Sequence, residues 1–576
     1  MNRTTAEFEK LKPYIKRKFV SPDASLTDAA TIKQFYQLLL DRKIHSKKEL
    51  EEWLLDRSEL EAAIAQSGDI LYIRMTCQTD DPQRAQAHQA FLENIEPIVK
   101  EHKDQLNKKF LYLLKSYPLH KDRYGVYIRE VRTDVGLFVQ ENIPLQTKLG
   151  LLSQEYQTIC GAMTVDFEGK ERTMPEMAKY LLEPDRHLRE SAWRAMTKRR
   201  LQDKDKLDEL FDKMLMIRCQ IAQNAKCKNY TEYVFRLLHR FDYTLADCKK
   251  YHQTVEKVVV PLWRKILEDR RQRMGLKTLK PWDTACDPLG KPPLKPFQDI
   301  QDLVNGCQRI FRSLDKKLGE YFGILKEEGL LDLVNRKGKA PGGYQSTLDE
   351  ARKPFIFMNA VGVNEDVRTL LHEAGHAFHA LSCAPDPLLA YRHGPMEFNE
   401  VASMAMELLA DDYLTEFYSS EDHQRSKKDQ LEDAVYILVW VATIDAFQHW
   451  IYENPRHQSH QRKEAWIKIY NRFSGMVVDW NGLEEEQAYL WHRQLHIFEY
   501  PFYYIEYGIA QLGALQLWLQ AKKTQAKAVR NYRKALSLGG SKPLPELYAA
   551  AGIRFNFSSA TITPLIKAVQ EEWCLL

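Results

Sequence analysis

The nine cysteines of this sequence form no CxxC pair and no regular spacing. An odd, scattered set excludes a disulfide framework and suits free thiols in a reducing cytosol. Long hydrophobic runs are missing as well. The longest uncharged apolar stretch, AVYILVWVATI at 434–444, is far short of the ~20 residues that cross a bilayer and reads as a buried core helix. The amino-terminal stretch MNRTTAEFEKLKPY lacks the apolar centre of a signal peptide. Neither sign of charge dominates: 83 basic residues face 79 acidic ones, for a net charge of +4. Bulk charge therefore supports neither a nucleic-acid nor a membrane partner. The one basic helix, AKKTQAKAVRNYRKAL at 521–536, reads as a solvated face. Internal repeats and low-complexity tracts are also lacking.

What remains is a long globular chain. At 576 residues, 44% hydrophobic and 28% charged, it exceeds the size at which one core stops growing, and two or more lobes are expected. Stretches such as 46–66 and 89–114 carry apolar residues at three- and four-residue spacing between charges, the signature of helix. Breakers gather at 279–297, with five prolines, and at 337–346, KGKAPGGYQS. The second is a glycine turn just before PFIFMNAV (354–361), one of few convincing strands. The expected class is mainly α, with a small β-sheet element beside the segment described next.

That segment is LLHEAGHAFHA at 370–380. A helix is expected to start at Asn364, with Glu365 and Asp366 in its first turn. Val367, Leu370, Leu371, Ala374, Phe378 and Leu381 then form one apolar stripe, while His372, His376 and His379 fall roughly 150° away, at about 100° per residue. His372 and His376 stand one turn apart, where two ring nitrogens can converge on one zinc ion. Glu373 lies beside them and off the metal, placed to take a proton from a zinc-activated water. His379 lies too far along the helix to share an ion with His372 and is read as a supporting residue. A catalytic zinc needs a third protein ligand. After the Pro/Gly-rich stretch 383–395 a second helix is expected from near Asn399, with Glu400 in its first turn as that ligand. Glu407, two turns on, is placed to orient a ligand histidine.

HEAGHAFH followed by EVAS and a later glutamate resembles the thimet oligopeptidase family of zinc metallopeptidases, specifically its oligoendopeptidase F branch. Three further stretches agree: NYTEYVFRLLHRFDYT (229–244), PGGYQSTLDEARKPFIFMNAVG (341–362) and LHIFEYPFYYIEYGIAQLGA (495–514). The close resemblance runs from about residue 190 to the carboxyl terminus, which implies a helical amino-terminal lobe at 1–190 and a catalytic domain at 191–576. It implies two helical lobes enclosing a deep channel, a Zn2+ cofactor held by His372, His376 and Glu400, Glu373 as general base, and short unfolded peptides as substrates. It also implies that His496 and Tyr507 stabilise the tetrahedral intermediate. Tyr504 and Tyr503 both share a helix face with Tyr507, at three- and four-residue spacing; Tyr504 is counted with the catalytic residues, and which of the two accompanies Tyr507 stays open. Gly342, Gly343 and Tyr344 of the turn, and Phe357, Met358 and Asn359 of the strand, are the expected substrate-binding residues. PFIFMNAV reads either as a strand buried on both faces or as an edge that pairs with an extended peptide, and the resemblance favours the edge.

The expected activity is a cytosolic zinc endopeptidase, acting as a monomer or simple homo-oligomer. A metallocarboxypeptidase of related fold is the rival enzyme, and requires a group to capture a free carboxylate. A non-catalytic peptide-binding protein with a vestigial zinc site is the rival from another class, and Glu373 speaks against it.

Overall fold

The computed structural model describes residues 7–576. The first six residues of the stretch read for a leader lie outside the described residues. The amino-terminal part is built of helices α1 (Ala29–Asp41), α2 (Lys47–Cys77), α3 (Pro82–Asn94), α4 (Glu96–Leu113), α5 (Lys121–Leu137) and α6 (Asn142–Gly161). Their starts follow local chemistry. The Ser46 hydroxyl accepts from the Glu49 amide at the head of α2, and Asp81 and Pro82 open α3, as capping side chains and an early proline do. The two largest hydrophobic clusters organise the chain. The smaller draws on residues between Val20 and Val131, with Trp53, Phe110 and Tyr127 at its centre, and includes Leu388 and Tyr391 from far along the chain. The larger takes in Leu137, Leu152 and Tyr156 and continues to Trp573.

Strands β1 (Thr164–Phe167) and β2 (Lys170–Thr173) form a hairpin; β3 (Leu331–Val334), β4 (Tyr344–Leu348) and β5 (Lys353–Ala360) form a three-stranded sheet in the order β3-β5-β4. β5 is the expected strand, and it is not an edge. It runs parallel to β3 on one side and antiparallel to β4 on the other, so its backbone groups face neighbours in the sheet. Phe357 and Met358 are 0% and 1% exposed. The reading of a strand apolar on both faces is the right one, because a central strand covered on both sides has no polar face to alternate. The edges of the sheet are β3 and β4.

Further along are α7 (Leu245–Thr254), α8 (Asn364–Cys383), α9 (Met396–Leu409) and α10 (Ser420–Glu453), with α11 (Ile505–Leu536) crossing α9. α8 begins at Asn364 as expected. The Asp366 carboxylate closes its first turn by accepting from the amides of Val361, Gly362 and Val363. Val367, Leu370, Leu371, Ala374 and Phe378 are all buried. α9 begins three residues earlier than expected. Pro395, read as a breaker, caps it instead, its carbonyl accepting from Phe398 and Asn399, so Glu400 sits in the second turn and Glu397 in the first. The run at 434–444 lies inside α10, which is long and apolar enough to cross a membrane by length and composition; 78% of the window concerned is buried inside the protein. None of the nine cysteines is in a disulfide.

Candidate active site

The glycine of HEAGH sets the distance between the two helices that matter most. A Cβ on Gly375 would stand 2.4 Å from the Ala402 carbonyl oxygen and 2.6 Å from Ser403 Cα. Only glycine lets the α8 backbone lie against α9 at this point, and the close crossing brings Glu400 beneath the two histidines. One ligand atom from each of His372, His376 and Glu400 lies within 4.8 Å of the others, a group that could hold a metal ion. His372 Nε2 and His376 Nε2 are each 3.4 Å from Glu400 Oε2.

Each member of this group is held from behind. His372 donates through Nδ1 to Glu407 Oε1 at 2.7 Å, which leaves Nε2 as the free donor atom towards Glu400. Glu400 is 2% exposed; it accepts from Ser403 Oγ at 2.9 Å and from the Tyr503 hydroxyl at 2.6 Å. Burial alone would raise its pKa, but the facing imidazoles of His376 and His372 pull it well below the usual carboxylate range. Burial would likewise lower the His372 pKa, yet Glu400 and Glu407 hold it well above its ordinary value. Such a field favours positive charge between these side chains, which a divalent cation supplies.

Glu373 points from α8 past the ligand group. It is buried, its Oε2 has no hydrogen-bond partner, and burial raises its pKa against the opposing effect of His372 and His376. The glycine turn approaches it closely: a Cβ on Gly343 would come within 3.3 Å of Glu373 Oε1. Gly342, at φ +88°, allows the turn. Asn359 secures it, donating from Nδ2 to the carbonyls of Ala340 and Gly342 at 2.9 Å each. Tyr344 anchors the turn to the amino-terminal part; its hydroxyl is 2.6 Å from Thr76 Oγ1 and its ring stacks on Phe357 at 4.6 Å. Of the six expected substrate-binding residues, Gly343 and Tyr344 line the cleft directly, whereas Phe357 and Met358 are core.

Across the cleft stand His496, Tyr503 and Tyr507. His496 Nδ1 accepts from Gln494 Nε2 at 2.8 Å, and His496 Nε2 is 3.2 Å from the Tyr507 hydroxyl. With Nδ1 occupied as acceptor, the proton sits on Nε2, facing the cleft. Burial pushes the His496 pKa down to about 4, with Glu400 opposing, so the ring is neutral near pH 7. Burial, then the charge of Glu400, raises the Tyr507 pKa well above 10, which keeps the phenol a donor.

Of the two tyrosines beside Tyr507, Tyr503 lines the cleft and Tyr504 does not. Residues 501–504 form turns and α11 begins only at Ile505, so counting helix positions back from Tyr507 fails there. Phe502 adopts φ +65° and reverses the chain. Tyr503 then faces the cleft, while Tyr504 is 7% exposed, its ring against His496 and Tyr507 at 5.0 and 5.1 Å. His379 lies one turn beyond His376, outside the ligand group. It is buried against Phe398, and burial pushes its pKa down to about 3.

The cleft itself measures about 880 Å3. One wall comes from α2 and α4, including Asp69, Tyr72 and Lys100; the other from α8, α9 and the 495–507 segment. Gln345 and Ser346 of the β4 edge also face it. Sequence reading missed the amino-terminal wall altogether, because nothing in the pattern of α2 distinguishes a cleft-facing tyrosine from a core one.

The family model described as Peptidase family M3 matches residues 179–565, and that described as Peptidase M3 N-terminal domain matches 22–138. An oligoendopeptidase F homolog of Borreliella burgdorferi is 26% identical over 317 residues, 52% of this chain and 52% of that protein. Oligopeptidase PepF of Bacillus subtilis is 27% identical over 248 residues, 41% of this chain and 36% of that protein. The chain thus spans about half or less of the length of these curated relatives. Among solved structures, PZ peptidase A with inhibitor 2 is similar at a TM-score of 0.91 and 29% identity, covering 97% of this chain and 99% of that one. An oligoendopeptidase-F from Enterococcus faecium shares the fold at a TM-score of 0.63 and 15% identity, with 96% of both chains covered. The chain belongs to peptidase family M3, in its oligoendopeptidase F branch.

Proposed function

We propose that the chain is a zinc-dependent endopeptidase of the cytosol that hydrolyses short, unfolded oligopeptides by water attack. The observation that carries this reading is the convergence of His372, His376 and Glu400 beside the unpartnered carboxylate of Glu373 on the floor of a cleft. The donor set fits zinc. Two ligands at 2.0–2.1 Å around a tetrahedral ion stand about 3.3–3.4 Å apart, the separation of both imidazoles from Glu400. Bound there, zinc supplies a Lewis acid for the scissile carbonyl and lowers the pKa of a water to about 7.

The chain's own groups do the rest. Glu373 takes the proton of the attacking water and passes it to the leaving amine. Tyr507 and His496 Nε2–H donate to the oxygen on which negative charge develops. Tyr503 holds Glu400, the role its hydrogen bond supports. The β4 edge, rather than β5, pairs with the backbone of an extended peptide, which gives binding tolerant of sequence. The division into a lobe at 1–190 and a catalytic domain at 191–576 is likewise a proposal; the larger hydrophobic cluster reaches back to Phe8, Ile73 and Cys77, so the two parts share core residues.

Tyr507→Phe should lower kcat by roughly 10²–10³-fold, the value of one oxyanion donor, with KM little changed, since the hydroxyl acts in the transition state. A change confined to KM would make Tyr507 a substrate-binding residue. Substrate size follows from the walls. A folded protein would have to open first, against a typical stability of about 5–15 kcal/mol, and one short strand on β4 does not offset that. Peptides of roughly 5–20 residues, tens of ångströms long when extended, should be cut internally. The same sequence placed as a loop in a stable domain should survive, and equal rates for the two would contradict an enclosed site.

The deciding experiment is mass spectrometry of products from a mixed peptide library, with and without a chelator. Internal cuts abolished by the chelator support the endopeptidase. Release of single carboxyl-terminal residues would favour the carboxypeptidase, for which the cleft offers, among the described residues, only the lysines Lys100 and Lys103 and no arginine, each lysine near a carboxylate of its own.

A further inference from the structure

A second group of metal-ligating side chains lies outside the cleft, between α7 and α10. Cys248 and His252 are one turn apart on α7, and Asp445 and His449 are one turn apart on α10. At this spacing, side chains share a helix face, and the two faces meet. All four are buried, at 0%, 4%, 0% and 4% exposure. One ligand atom from each of Cys248, Asp445 and His449 lies within 4.8 Å of the others. None of the four lines the cleft.

Interactions within the protein account for only part of this group. His252 Nε2 bonds Asp445 Oδ2 at 2.7 Å, which satisfies one imidazole and one oxygen. Asp445 Oδ1 and His449 Nε2 are both buried without a hydrogen-bond partner. Native interiors rarely leave two such atoms together. Aromatic rings border the group: those of Phe502 and Phe473 stand 5.3 Å from His449 and 6.4 Å from His252. His449 Nε2 is 3.4 Å from Asp445 Oδ2, the same separation as between the imidazoles and Glu400 in the cleft and the spacing of two ligands on one tetrahedral ion.

We propose that Cys248, Asp445 and His449 form a second, structural metal site, with His252 fixing the carboxylate that binds. Thiolate, imidazole and carboxylate together suit a borderline-soft divalent ion of the zinc type rather than magnesium or calcium. One thiolate and one carboxylate balance its two positive charges, so the buried centre is neutral. Binding releases the thiol proton to solvent, with no change of oxidation state. The ion would pin α7 to α10 beneath the turn that presents Tyr503. Phe502 of that turn packs on His449, and its amide donates to Gln448 on α10 at 2.6 Å.

The test uses the full chain. Metal analysis after dialysis and zinc loading should give two zinc ions per chain, falling to one in Cys248→Ser and to one in Glu400→Ala. Cobalt loading of the unaltered protein should give a thiolate-to-cobalt charge-transfer band in the near ultraviolet. The cleft group contains no cysteine, so that band reports the second site alone, and it requires no variant to fold. Cys248→Ser should remove the band and leave the cobalt d–d absorption of the cleft. A single cobalt per chain that shows the band would keep this site and sink the zinc site in the cleft. Absence of the band at full cobalt loading, or its survival in Cys248→Ser, would overturn the proposal and leave the group as a metal-free link between helices.

Discussion

Glu373→Gln should retain full zinc and lose hydrolysis by about 10²–10⁴-fold, the range ascribed to a general base. The substitution keeps the size and shape of a side chain that is 5% exposed and makes no bond through Oε2. It touches neither the two imidazoles nor Glu400, so metal content should match that of the unaltered protein. What it removes is the capacity to accept a proton from water beside the ligand group. Because that capacity matters only as the water attacks, kcat should carry the loss and KM should move little. Steady-state rates on a quenched fluorescent peptide, paired with metal analysis of the same sample, provide the check. Near-normal turnover in zinc-loaded Glu373→Gln would remove Glu373 from the mechanism.

Glu400→Ala should lose both metal and activity, the larger effect of the two. It deletes one of three protein ligands, and the two imidazoles that remain do not hold a catalytic zinc. Glu397, one turn earlier on the same helix, gives the contrast. It is also buried, but it accepts from the Tyr243 hydroxyl at 2.6 Å and lies 3.8 Å from Arg240. Arg240 in turn pairs with Glu506 at 2.6 Å and donates to the Phe502 carbonyl. Glu397→Ala should therefore keep its zinc and lose stability, by about 3 kcal/mol for breaking a buried ion pair. Metal content after dialysis and the thermal midpoint separate the two variants. Full zinc in Glu400→Ala would mean that another carboxylate completes the site.

Much of the local structure was legible from residue spacing. The helix at Asn364–Cys383, its buried stripe and the one-turn separation of His372 and His376 all follow from a regular backbone of about 100° and 1.5 Å per residue. The free cysteines and the buried apolar run followed from composition in the same way. Failures came where that regularity stops. Tyr503 and Tyr504 were compared by counting along a helix that begins only at Ile505, and it is Tyr503, after the positive φ of Phe502, that lines the cleft. PFIFMNAV was legible as a strand but not as the central one, since its paired neighbours on either side are 5 to 26 residues away in sequence. Pro395 looked like an interruption and proved to be a cap.

The sequence by itself determined that a helix would present two histidines and a glutamate on one side, that the chain would be mainly helical, and that its thiols would be free. Only the tertiary structure decided which partners those groups meet. Glu400 lies 24 positions beyond His376 and reaches it because Gly375 lets two helices touch. Tyr503 lies about a hundred positions further and reaches Glu400 because a strained turn aims it. Cys248 and Asp445 are nearly two hundred positions apart, and each looks unremarked within its own helix. The physical reason is one of range. Bond geometry and hydrogen bonds along a helix relate residues three or four apart, whereas convergence across the chain is fixed by how buried faces pack, and packing depends on every side chain in the contact at once.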